Sequence, residues 1–101
     1  MEQKKQEMQL ELTPEVAEGV YSNMAVIAHS PSEFVLDFVR VMPGMPKAKI
    51  MTRVMMTPEN AKRLLGALNE NVRRYEMQFG EIDMNRGVVV TNSTPSVQEL
   101  N

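Results

Sequence analysis

The sequence has no cysteine and no tryptophan. The first absence excludes disulfides, thiolate nucleophiles and zinc–thiolate sites. A single histidine, His29, excludes a two-histidine metal site within one chain. Aromatic residues are few, three Phe and two Tyr, which leaves no ladder of rings for stacking single-stranded nucleic acid. Neither charge sign dominates: 11 Lys and Arg stand against 13 Asp and Glu, for a net charge of -2. A strongly basic nucleic-acid binder is therefore not expected. No run approaches the ~18 apolar residues of a membrane span, and no apolar stretch follows the polar opening Met1-Glu2-Gln3-Lys4-Lys5 as in a secretory signal. Cytoplasmic residence without a membrane partner is the expectation, and Asn92-Ser93-Thr94 then fits the glycosylation pattern by chance. The glycine-rich, P-loop and HExxH signatures are missing as well, so no cofactor and no metal are expected.

What is present suits one soluble domain. The chain has 101 residues, 43% of them hydrophobic. Residues 1–18 carry two Lys against five Glu and form a polar segment with room for an edge strand. Residues 19–82 carry eight Lys or Arg against six acids and hold nearly all branched and aromatic residues; they are the expected folded core. Residues 83–101 read as a flexible tail, with Val88-Val89-Val90 its one β-prone spot.

Met8-Gln9-Leu10-Glu11-Leu12 alternates at the strand period, up to the Pro of Thr13-Pro14. A connection with one helical turn follows to Gly19. Three longer strands are expected over 19–29, 33–42 and 47–56, punctuated by Ser30-Pro31-Ser32 and Pro43-Gly44-Met45-Pro46. The short connections make them an antiparallel meander. The period then changes from 2 to 3.6. Thr57-Pro58 is a helix start, Ala61, Leu64, Leu65, Leu68, Val72, Tyr75 and Phe79 keep to one stripe, and Gly80 supplies a stop. The predicted fold is α+β: an antiparallel meander of three to four strands, then one long C-terminal helix packed on one sheet face.

Pairing His29 with Glu33, and Met42 with Ala48, sorts the side chains onto two faces. One collects Val26, Phe34, Leu36, Phe38, Ile50 and Val54 and would receive the helix. The other collects Ile27, Val35, Asp37, Val39, Val41, Met51, Arg53 and Met55. On a monomer that second face would be polar; here it is mostly apolar, and one helix cannot cover both. These eight residues are the candidate interface. A second copy of the chain is the expected cover, as a homodimer or a dimer of dimers, and another protein is the other possible partner. Asp37 falls opposite Arg53, either as a cross-strand pair at a wet rim or as a charge pair fixing the register of association.

Catalytic residues are not expected. His29 stands at a strand end beside Ser30-Pro31 and reads as a solvated turn residue. The ten Met residues read first as gap-filling core and second as an adaptable surface for apolar partners. The basic residues of the helix read as a solvated face.

A family resemblance runs through Gly19-Val20-Tyr21-Ser22-Asn23, His29-Ser30-Pro31-Ser32-Glu33-Phe34-Val35-Leu36-Asp37-Phe38, Thr57-Pro58-Glu59-Asn60-Ala61-Lys62-Arg63-Leu64-Leu65 and Phe79-Gly80-Glu81-Ile82. Over roughly 10–82 the chain resembles the small bacterial family called domain of unknown function 3467. The resemblance implies a short α+β protein and brings no activity and no site residues. The coding of some relatives beside RNA polymerase subunits implies a transcription-linked partner. The meander-then-helix order is also similar in architecture to the export chaperone SecB, without a shared motif. Taken together, these readings predict a non-enzymatic, self-associating binding or scaffold protein using its apolar sheet face; the alternative is a chaperone-like or transcription-associated adaptor.

Overall fold

The computed structural model describes residues 7–85. Helix α1 is the single turn Pro14–Ala17, strand β1 is Met24–His29, β2 is Phe34–Arg40, β3 is Lys49–Met56 and helix α2 is Pro58–Phe79. The strands form one antiparallel sheet in the order β1-β2-β3. The α+β meander and the long helix after it are as the sequence predicts. The fourth strand is not formed among the described residues: Met8, Leu10 and Leu12 lie exposed outside the sheet. Alternation gives a segment an apolar face but no partner for its N–H and C=O groups, and no neighbouring ladder takes this one up. The greater part of the expected tail, with Val88-Val89-Val90, lies outside the described residues.

Each turn is set by local chemistry. Thr13 caps α1, its Oγ1 accepting from Val16 N at 3.4 Å, and the chain leaves through Gly19 at φ 80°. Between β1 and β2 the Ser30 hydroxyl accepts from the N–H groups of Ser32 and Glu33, both at 3.3 Å, while Ser30 N donates to Glu33 O at 2.9 Å. Closing the turn on Ser30 and Glu33 makes His29 pair with Phe34, not with Glu33 as expected. Their rings stack at 5.4 Å. A slip of one residue moves every side chain of β1 to the opposite face. Between β2 and β3 the chain turns through Gly44 at φ 83°.

The β2–β3 register holds one irregularity. Val35 pairs with Met55, Asp37 with Arg53 and Phe38 with Thr52, but Val39 pairs with Ile50. Met51 is the extra residue of a β-bulge. One face therefore carries Met24, Val26, Ala28, Val35, Asp37, Val39, Ile50, Arg53 and Met55. The other carries Ala25, Ile27, His29, Phe34, Leu36, Phe38, Thr52, Val54 and Met56. Both faces are rich in apolar side chains, as expected, although β1 and Ile50 have exchanged sides.

Helix α2 begins with the expected cap. Thr57 Oγ1 accepts from Asn60 N at 3.2 Å, and Pro58 takes the first helical position, where its missing N–H costs no bond. It ends at Gly80, whose φ of 98° and ψ of 167° suit glycine alone. The Glu76 carboxylate reaches past the end and accepts from Ile82 N at 3.0 Å. The expected burial of the stripe on the sheet is not found. No residue of α2 is buried, and Leu65, Leu68, Tyr75 and Phe79 are all more than half exposed. A 3.6-residue period shows that a helix has an apolar side, not what covers it. Among the described residues the buried hydrophobics are Leu36 and Val39, both on the central strand.

Candidate functional site

The candidate interface is the sheet face around Val39. The central strand places Val35, Asp37 and Val39 there, since alternate residues of a strand share a face. Val39 is 4% exposed, enclosed between its partners Met24 and Ile50. Met55 stands opposite Val35 and is 55% exposed, as is Ile50. Met51 is half-buried at the bulge. The face is thus a row of branched side chains with its third strand open to solvent.

Asp37 is the buried charge of this face. Arg53 reaches it across the strands with two parallel bonds, Nε to Oδ1 at 2.7 Å and Nη2 to Oδ2 at 2.8 Å. This two-pronged geometry is the strong form of a carboxylate–guanidinium contact. The hydrogen bonding by Arg53 holds the Asp37 carboxyl below its ordinary range; burial opposes the shift and the guanidinium charge adds to it. The same bonding raises Arg53 further. Asp37, between Val35 and Val39 on the central strand, is nearly enclosed while the Arg53 side chain stays 61% exposed, so the pair lies within the face and opens to solvent on its Arg53 side.

Val41 lies past the end of β2, where the ladder stops. Asn23 extends the pairing with its side chain: Oδ1 accepts from Val41 N at 2.8 Å and Nδ2 donates to Val41 O at 3.0 Å. An amide carries a donor and an acceptor at the spacing of a peptide group, so Asn23 stands in for one more residue of strand. Ile27 is the residue that the register moves. It pairs with Leu36 and so belongs to the opposite face; the remaining expected residues stay with the Val39 face or its margin. Ile50 and Val26, expected on the other face, join this one in the structure together with Met24. The signal that could have placed the β1 residues was Ser30, a hydroxyl positioned to close a turn on Glu33.

Two further features stand out among the described residues. His29 is exposed and its ring stacks on Phe34. A hollow of about 470 Å³ lies at the end of α2, lined by Tyr75, Phe79 and the chain from Gly80 to Met84. Among the described residues no three histidine or acidic side chains are grouped to hold a metal ion. No described helix is long and apolar enough to cross a membrane.

The meander, the Thr57-Pro58 helix start and the Gly80 stop are the features through which the sequence resembled a known family. The family model described as protein of unknown function (DUF3467) matches residues 1–84. The chain belongs to this family. The match takes in the whole sheet, the Asp37–Arg53 pair and all of α2. No curated protein and no solved structure matches the chain.

Proposed function

We propose that this DUF3467 protein is a non-enzymatic, self-associating binding or scaffold protein whose apolar sheet surface is covered by a second copy of the chain. One observation carries the reading. Both faces of the sheet bear apolar side chains, and the helix that could cover one of them buries none of its own residues. The Val39 face offers Ile50 and Met55, each 55% exposed, and the half-buried Met24, Val26 and Val35 for further burial. Covering a side chain of this kind is worth roughly 1.5–3 kcal/mol. Only the part still exposed contributes, so two such faces together are of the same order as the roughly 4–15 kcal/mol lost on association. The Asp37–Arg53 pair within the face would set which way the copies meet.

Light scattering after gel filtration, over a dilution series, tests the reading with the unaltered chain and with Met55→Asp. Met55 is exposed, so a charge there spares the protomer while spoiling a packed interface. A dimeric or tetrameric mass that falls in the variant is the expected result. A monomer at micromolar concentration, unchanged by Met55→Asp, would overturn it.

A protein adaptor is the second reading. It is favoured by the exposure of Met42, Met45, Met55, Met77 and Met84, because methionine adapts to varied apolar partners. Purification with one stoichiometric companion would support it, and a chain that purifies alone at full folding would count against it.

A further inference from the structure

Along α2 the residues Ala61, Leu65, Leu68, Val72, Tyr75 and Phe79 recur at steps of 4, 3, 4, 3 and 4. With Leu64 at a flanking position, that is the seven-residue repeat of a seam between two helices. The seam is open: Leu65 is 68% and Phe79 66% exposed. Glu70 on the outer side pairs with Arg73 at 3.5 Å and Arg74 at 3.3 Å, while Lys62, beside the seam, has no ion pair among the described residues.

We infer that α2 pairs antiparallel with α2 of a second copy of this chain, with Leu68 of one helix against Val72 of the other. The inference rests on the self-association proposed above and names its helical surface. The 22 residues of α2 make a rod of roughly 33 Å, about three heptads. In this register Leu65 meets Tyr75 and Ala61 meets Phe79, so a larger side chain faces a smaller one in each outer layer. The flanking positions then decide direction and register. Lys62 falls beside Glu76 of the second copy, twice by symmetry, and Asn69 falls beside its own counterpart. Glu76 keeps one carboxylate oxygen for this contact, since Ile82 N takes the other. A parallel pairing instead sets Asn71 beside Glu76 and Leu64 beside Asn69, with no charge match. Sliding the antiparallel pair by one heptad either way removes Lys62 from Glu76 and shortens the seam. Opposite charges flanking a helix seam are what select partner and orientation.

The absence of native cysteine makes cross-linking unambiguous. Asn69→Cys and Asn71→Cys each place a thiol beside its own counterpart only in the antiparallel pair. Glu70→Cys, on the outer side, is the control. Under mild oxidation of the full chain, the expected main product of the first two variants is a disulfide-linked dimer, and Glu70→Cys stays largely unlinked. At low salt Glu76→Lys should weaken the dimer roughly tenfold, and the exchange Lys62→Glu with Glu76→Lys should restore it. A dimeric mass with no linking of Asn69→Cys or Asn71→Cys beyond the control would overturn the helix pairing and leave self-association through the sheet standing. Self-linking of Ala61→Cys would overturn the antiparallel direction. A monomeric mass with no linking would overturn both the pairing and the function proposed above.

Discussion

Asp37 is buried because Arg53, directly across the strands, supplies hydrogen bonds to both carboxylate oxygens that water would otherwise occupy. The bonds favour the ionised form and hold the Asp37 carboxyl below its ordinary 3.8. A group depressed on folding adds stability that is complete above its unfolded value and is lost as the pH falls through its folded one. Unfolding by urea should therefore be constant with respect to this pair near neutrality and become easier below about pH 4. Asp37→Asn should remove that part of the acid dependence, seen as a flatter midpoint against pH.

Arg53→Lys keeps the charge and loses the fork. A lysine donates from one point and cannot hold both oxygens in one plane. The variant is expected to unfold at lower temperature than the unaltered chain, though its net charge is the same. Equal thermal midpoints would show that charge alone matters at this position.

Asn23 closes the end of the sheet with two bonds to the Val41 backbone. Asn23→Ala should cost about 1–3 kcal/mol, as the Val41 groups lose their partners. Urea titration measures the loss. Asn23→Asp, which lacks the amide donor, should recover less than half of it.

The two ends of α2 should respond differently. Thr57→Ala deletes a side-chain cap and is expected to cost about 1 kcal/mol. Gly80→Ala meets no neighbouring atom within 4 Å, so its penalty is that of the backbone alone. At a φ of 98° and ψ of 167° it should be about 1–3 kcal/mol. Helix content by circular dichroism and urea midpoints separate the two.

If folding and association are one event, the thermal midpoint should climb with concentration. Each tenfold rise in chain concentration adds about 1.4 kcal/mol to the stability of a dimer. Scanning calorimetry at three concentrations measures this. A midpoint that stays fixed would mean the protomer folds alone.

The helix was fully legible because each of its signals is local: Thr57-Pro58 opens it, the apolar spacing carries it and Gly80 ends it. The strands were legible from their punctuation, and the facing of Asp37 and Arg53 from counting across the second turn. Three features were not. The turn between β1 and β2 is closed by the Ser30 hydroxyl, a local hydrogen-bond choice that counting residues does not reveal; it shifts the register by one and carries Ile27 to the other face. The bulge at Met51 sits in Lys49-Ile50-Met51-Thr52, which has no glycine to mark it. The resting place of the α2 stripe is not written in its spacing, since a pattern of apolar residues specifies burial without specifying the molecule that provides it. The candidate face survives these changes because both faces of the sheet are apolar in either register.

The bulge also makes one position of β3 dispensable in length. Ile50 and Thr52 already alternate across the sheet as if they were adjacent, with Met51 as the spare residue between their partners Val39 and Phe38. Removing Met51 would straighten the strand and leave every remaining side chain on its present face, whereas removing Arg53 or Val54 would turn the strand inside out on one side of the gap. Family members that differ by a single residue in this strand can therefore keep the same two surfaces, and position 51 is where such a gain or loss of length can be absorbed.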